Sequence, residues 1–240
     1  PDGRCRAALE GLEPELRGAL ERAAANIRSF HEAQRPSPTR LEVEPGVVLE
    51  RRWAPLPAVG VYAPGGRAAY PSTVLMGVVP ARVAGVENVI VCSPPGEDGL
   101  PPAAVLAAAA LGGATRVFAI GGAGAVGAMA FGTESVPAVA AIVGPGNRWV
   151  TEAKRQVSGD VQIDSPAGPS EVLVVAAADA DPGRIALELI AQAEHDPEAA
   201  VALVTPSAEL CASVRSELEA RVPEAPRREV IESALSARGG

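Results

Sequence analysis

Gln192 and His195 stand three residues apart in Leu189-Ile190-Ala191-Gln192-Ala193-Glu194-His195-Asp196-Pro197. On a helix that spacing puts both side chains on one face, so an amide oxygen and an imidazole nitrogen can converge on one point. Neutral imidazole is the commonest protein ligand for a metal ion, and the 240 residues contain only 2 histidines. Taken alone, a histidine near a helix end reads first as a surface or capping residue. The neighbouring motifs are what turn His195 toward metal chemistry. His31, the other histidine, falls on an earlier helical pattern and reads as structural.

Gly122-Ala123-Gly124-Ala125-Val126-Gly127 has the form G-x-G-x-x-G between a predicted strand and a predicted helix. In that setting helix N-terminal N–H groups can receive a dinucleotide pyrophosphate. The acidic residue expected about 20 positions on is missing, and Val143-Gly144-Pro145-Gly146-Asn147 stands there instead. A plain strand-to-helix turn is the competing reading. Asn147 suits a helix cap, a role compatible with offering its amide to a ligand. Tyr62, at the end of a predicted strand beside Pro64-Gly65-Gly66, can either stack on a cofactor or cover the sheet edge. Ser170 lies in the turn Asp164-Ser165-Pro166-Ala167-Gly168-Pro169-Ser170, where hydrogen bonding suits it better than nucleophilic attack, since G-x-S-x-G is absent.

These residues need a scaffold, and the patterning predicts one. Pro14 opens a helix that carries His31 and is broken by Pro36-Ser37-Pro38. Extended pieces follow near Val47–Trp53 and Val59–Ala63. A helix over Ser72–Ala84, with a Ser or Thr cap, leads to a strand at Asn88–Cys92. Helix Pro102–Leu111, strand Arg116–Ile120, helix Ala123–Phe131, strand Val139–Val143 and helix Arg148–Val157 continue the alternation. After the Asp164–Ser170 turn come a buried-type strand at Val172–Ala176, helix Pro182–Glu194, strand Ala200–Val204, and helices Ser207–Glu219 and Glu229–Ala237. Strands alternating with helices of this length imply β-α-β units and a parallel sheet, hence an α/β fold. The proline- and glycine-rich turn marks a domain junction, the kind of place where such folds bind ligands.

Hydrophobic residues make up 48% of the chain but aromatic ones only 3%, so aliphatic side chains must build the core. A net charge of -8 argues against nucleic-acid or anionic-membrane partners. Cys5, Cys92 and Cys211 form no C-x-x-C and no zinc-ribbon spacing, which points to a reducing, cytoplasmic setting rather than a disulfide framework.

In order, Gly60-Val61-Tyr62-Ala63-Pro64-Gly65-Gly66, Gly144-Pro145-Gly146-Asn147, Asp164 through Glu171, and Gln192-Ala193-Glu194-His195 resemble the histidinol dehydrogenase family. Pro71 to Met76, Phe131 to Pro137 and Thr151-Glu152-Ala153-Lys154-Arg155 extend the resemblance, which runs from about Leu12 to Thr205. It implies two incomplete Rossmann-like parallel-sheet domains with flanking helices. Residues 1–58 are then an N-terminal helical segment and the start of the first domain. Residues 59–165 are the NAD-binding domain, and residues 166–240 are the return to the first, carrying half of a zinc site.

The resemblance further implies a homodimeric enzyme using Zn2+ and NAD to oxidise L-histidinol, through the aldehyde, to L-histidine. It assigns Tyr62, Gly124 and Asn147 to the cofactor and Ser170 to the substrate, with Gln192 and His195 serving both zinc and substrate. The family's catalytic Glu-His pair and remaining zinc ligands lie C-terminal to everything present here. The expectation is therefore a portion of the enzyme, without its N-terminal start and catalytic half, and with little turnover of its own. Gly124 stands where the family has glutamine, and Ser165 where methionine is common. Two other readings are a non-catalytic NAD- or ligand-binding derivative, and a zinc- and NAD-dependent dehydrogenase of another polar alcohol.

Overall fold

The computed structural model describes residues 3–65, 69–165 and 171–239. The chain divides into two compact units, Pro1–Pro166 and Ala167–Gly240.

In the first unit, helices α1 (Gly3–Glu10) and α2 (Pro14–Ala33) precede a hairpin of β1 (Thr39–Glu44) and β2 (Val47–Arg51). The main sheet follows: β3 (Ala58–Tyr62), α3 (Pro71–Val83), β4 (Asn88–Ser93), α4 (Ala103–Gly112), β5 (Arg116–Ala119), α5 (Gly122–Phe131), β6 (Ala141–Val143), α6 (Arg148–Val157) and β7 (Gln162–Ile163). All neighbouring strands are parallel, in the order β5-β4-β3-β6-β7. The expected α/β class is what the chain adopts.

Side-chain alternation along the strands divides the core between the two sheet faces. Val59, Val61, Val89 and Val91 pack with α3, α4 and α2 on one face, while Tyr62, Ile90, Cys92 and Ile142 pack with α5 and α6 on the other. Two glycines let helices approach closely. A Cβ on Gly60 would lie 2.5 Å from the Met129 sulfur, and one on Gly77 would lie 2.7 Å from Val61 Cγ1.

The chain starts at the centre of this sheet, builds outward through β4 and β5, then crosses back to lay β6 on the other side of β3. The carboxyl ends of β3 and β6 therefore flank the point where strand order reverses. That is the ligand crevice of an open α/β sheet.

The second unit contains β8 (Glu171–Val175), α7 (Pro182–Ala193), β9 (Ala200–Val204), α8 (Ala208–Arg221), a short 3-10 turn and α9 (Arg228–Arg238). The parallel pair β8-β9 packs Val174, Val201 and Leu203 toward the helices. Here the expected buried-type strand is corrected: Leu173 and Val175, on the alternate positions of β8, are 62% and 75% exposed.

Three further differences have local causes. α1, β1 and β7 were not predicted, since β1 is wholly exposed and β7 has two residues, too few for a pattern. α3 begins at Pro71, whose missing N–H suits a first helical position, and no side chain caps it. α7 ends at Ala193, so His195 lies in the turn after the helix.

Candidate functional site at the strand-order reversal

Three of the cofactor positions expected from sequence meet at the carboxyl edge of the main sheet. Tyr62 ends β3 with only 3% of its surface exposed, its ring packed with Ile90, Cys92 and Ile142. Its hydroxyl oxygen accepts from the Gly122 backbone N–H at 3.1 Å and keeps its own proton to donate. Gly122 has φ +65, a conformation that favours glycine. It starts α5, and the exposed Gly124 sits in the first turn. A Cβ on Gly124 or Gly127 would meet nothing within 4 Å. Of the three motif glycines, therefore, only Gly122 has a backbone reason to be there.

Asn147 caps α6. Its Oδ1 accepts from Trp149 N at 3.1 Å and from Val150 N at 3.2 Å, so the predicted cap is present. The amide nitrogen remains as the group a ligand can engage. Three residues earlier, Gly144 has φ +109, and a Cβ there would lie 2.1 Å from the Tyr62 carbonyl oxygen. The backbones at the ends of β3 and β6 touch where no side chain fits.

Two charged residues that motif reasoning left without a role hold this turn. Asp164 Oδ2 accepts from Gly144 N at 2.7 Å, and its Oδ1 accepts from Ser165 N at 2.7 Å. Lys154 Nζ donates to Gly144 O at 3.1 Å and to Asp164 Oδ1, with the lysine side chain 2% exposed. Burial pushes the Asp164 carboxyl up, but hydrogen bonds from Lys154, Gly144 and Ser165 outweigh it and leave the group below its ordinary value. The sequence did carry a signal for Lys154. It shares the buried stripe Val150, Lys154, Val157 of an amphipathic helix, a position where an unpaired charge is not tolerated.

Other groups near the crevice have narrower scope. Ser93, at the end of β4, has a buried hydroxyl with no hydrogen-bond partner. The Cys92 thiol is pushed up to about 12 by burial, which removes it as a nucleophile at neutral pH. An open, mostly apolar groove of about 900 Å3 runs from His31 on α2, past Met76 on α3, to Gly144 and Asp164. His31 meets Phe30 edge-on at 5.6 Å.

Gln192 and His195 belong to the second unit. The His195 N–H donates to Gln192 O at 3.2 Å, so both residues share one turn although the helix has ended. His195 is exposed and Gln192 half-buried. Their chemistry suits two positions of a zinc site. Among the described residues, no group of three or more His, Cys, Asp or Glu side chains gathers to hold a metal, so a closed site needs further donors. Ser170 lies outside the described residues.

Comparison with known proteins follows this geometry. The family model for histidinol dehydrogenase matches residues 1–240. A histidinol dehydrogenase of Methanosarcina barkeri is 54% identical over 229 residues, which are 95% of this chain and 53% of the relative. One from Methanothermobacter thermautotrophicus is 50% identical over 97% of the chain and 54% of its own length. The chain thus spans about half the length of the curated relatives it matches. Among solved structures, histidinol dehydrogenase from Elizabethkingia anophelis superposes with a TM-score of 0.88 at 38% identity, covering 100% of this chain and 56% of that one. A succinate-semialdehyde dehydrogenase from Burkholderia pseudomallei, TM-score 0.56 and 16% identity over 84% of this chain and 42% of its own, shares the fold alone.

Proposed function

Because the chain belongs to the histidinol dehydrogenase family, we propose that it forms the NAD-binding part, and part of the zinc site, of an enzyme oxidising L-histidinol through L-histidinal to L-histidine. The observation that carries this reading is the meeting of Tyr62, Gly122 and the Gly144–Asn147 turn at the strand-order reversal. The donor set there suits a phosphate-bearing dinucleotide. Tyr62 offers an O–H and Asn147 an amide, and α5 presents the N–H groups of its first turn.

NAD, when bound, supplies the hydride acceptor. The chain's own part is positional. Tyr62 fixes where α5 begins, Asn147 orients its amide from the start of α6, and the turn at Gly144 holds the approach of the two strands. Such placement lowers the entropic part of a hydride-transfer barrier. Zinc, when bound, would supply a Lewis acid toward the substrate. Gln192 and His195 are the described residues that would ligate it, and Ser170 is proposed to contact the substrate beside them. We assign the remaining ligands, the general acid and base, and the homodimer contact to the whole enzyme, so this 240-residue chain alone should turn over little or no histidinol.

The test is NADH formation from L-histidinol, compared with amino alcohols lacking imidazole and with sulfonated alcohols, by the full-length natural protein containing this sequence. Preferred oxidation of L-histidinol, abolished by a chelator and restored by zinc, is the expected result. Preference for another alcohol would move the substrate assignment. No turnover of any alcohol would leave a binding role.

A further inference from the structure

The Gly144 peptide is gripped from both ends. Its N–H is bound by Asp164 and the Gly144 carbonyl by Lys154, and the two side chains pair with each other. The result is a closed ring of backbone and charge at the reversal point. Lys154 is the only lysine among the 240 residues, and its side chain is 2% exposed. A buried charge needs a partner and hydrogen bonds to be tolerated, and this one finds both on a single glycine and the aspartate that follows β7. The ring lies against the groove rather than on the outer surface, since Gly144 and Asp164 both line it.

We propose that Lys154 and Asp164 are positioning residues for the cofactor, locking the Gly144-Pro145-Gly146-Asn147 turn so that the Asn147 amide is held in register with Tyr62. This inference rests on the NAD reading above. Its physical basis is that the Gly144 backbone is pressed against the Tyr62 carbonyl, where a Cβ would lie 2.1 Å away, so its place depends on the groups that hold it there. Without the clamp the turn relaxes, and Asn147 moves with it because the asparagine is only three residues on and forms the first cap of α6. Asp164 also takes the Ser165 N–H, so the same carboxylate fixes the start of the segment that leads to Ser170. Neither residue needs to touch NAD to act.

A simple structural ion pair makes a different prediction, and a double substitution separates the two. Asp164→Asn strands the buried Lys154 ammonium beside a neutral amide, whereas Lys154→Met combined with Asp164→Asn removes both charges and restores much of the stability. The measurements are NAD dissociation constants by calorimetry and thermal midpoints for the wild type, each single variant and the double variant of the full-length natural protein containing this sequence. Positioning predicts NAD binding at least tenfold weaker in both Asp164→Asn and the double variant, while the double variant melts closer to the wild type than Asp164→Asn does. A double variant that binds NAD within twofold of the wild type overturns the inference. Lys154→Met alone, which leaves Asp164 exposed to solvent with both of its backbone N–H donors, should fall between. A wild-type chain with no affinity for NAD would instead overturn the cofactor reading, and the positioning role with it.

Discussion

The Tyr62 hydroxyl accepts the Gly122 N–H at 3.1 Å across 60 residues of sequence, joining the end of the first central strand to the turn that opens α5. The bond satisfies one of the N–H groups that a helix start leaves unpaired. It also sets the angle at which the exposed first turn of α5 faces the crevice. Tyr62→Phe deletes the acceptor and keeps the buried ring. The expected cost is about 1 kcal/mol of stability, read by chemical denaturation. NAD affinity should fall roughly five- to twenty-fold, which is about 1–2 kcal/mol of binding free energy. A variant that loses stability but binds NAD like the wild type would confine Tyr62 to a structural role.

Gly124 offers the opposite experiment. Open space surrounds its Cβ position, and it lies in the first turn of a helix, so Gly124→Gln fits without displacing a neighbour. Helix propensity alone should stabilise the chain by roughly 0.5 kcal/mol. The longer amide reaches over the N-terminus of α5, and NAD should bind more tightly. An unchanged dissociation constant would refute the cofactor role assigned to this position.

How far these relationships could be read from the sequence depended on range. Helix Arg148–Val157 and strand Ala200–Val204 were legible to the residue, because their apolar periods are strong and Asn147 marks a start. The α/β class followed from the alternation of such elements. The hairpin strand β1 was not legible, since its alternation of Leu41 and Val43 with charges buries neither face. The two-residue β7 shows only through its pairing with β6. The glycine-rich motif was legible as a strand-to-helix turn, which the chain forms between β5 and α5. Gly124 and Gly127 serve no close approach, whereas Gly60 and Gly77, outside any motif, do. The Lys154–Asp164 clamp depends on two residues ten positions apart meeting over a glycine, and no local pattern announces that. Gln192 and His195 were legible as a pair through their spacing, and Ser170 as a hydrogen-bonding residue of its turn; family resemblance added their zinc and substrate roles, which rest on the proposals above.

Gly144 should be the least replaceable glycine of the crevice. Gly144→Ala would place a methyl group 2.1 Å from the Tyr62 carbonyl oxygen at φ +109, a clash against backbone rather than against a flexible side-chain end. Backbone strain and overpacking together should cost roughly 2–5 kcal/mol. That is a large part of the stability of an ordinary domain, about 5–15 kcal/mol. Gly124→Ala, a few turns of chain away, serves as the matched control and should be neutral or slightly stabilising. Equal denaturation midpoints for the two variants would show that the turn relaxes freely.

The depressed pKa of Asp164 makes the clamp sensitive to acid, with a definite sign. Its carboxyl titrates below the ordinary aspartate range in the folded chain because the hydrogen bonds from Lys154, Gly144 and Ser165 outweigh the effect of burial. Above that range aspartate is ionised in both folded and unfolded states, so the full stabilising contribution is present. As pH falls through the ordinary range, the unfolded chain takes up a proton first, and the contribution shrinks until the folded carboxyl is protonated as well. Asp164 is 37% exposed, so solvent screening reduces the size of the effect but not its direction. The stability difference between the wild type and Asp164→Asn should therefore be greatest at neutral pH and diminish on acidification, measured by urea denaturation at a series of pH values. A difference that stayed constant from neutral pH to well below the aspartate range would mean that Asp164 holds the turn through hydrogen bonds that do not depend on its charge.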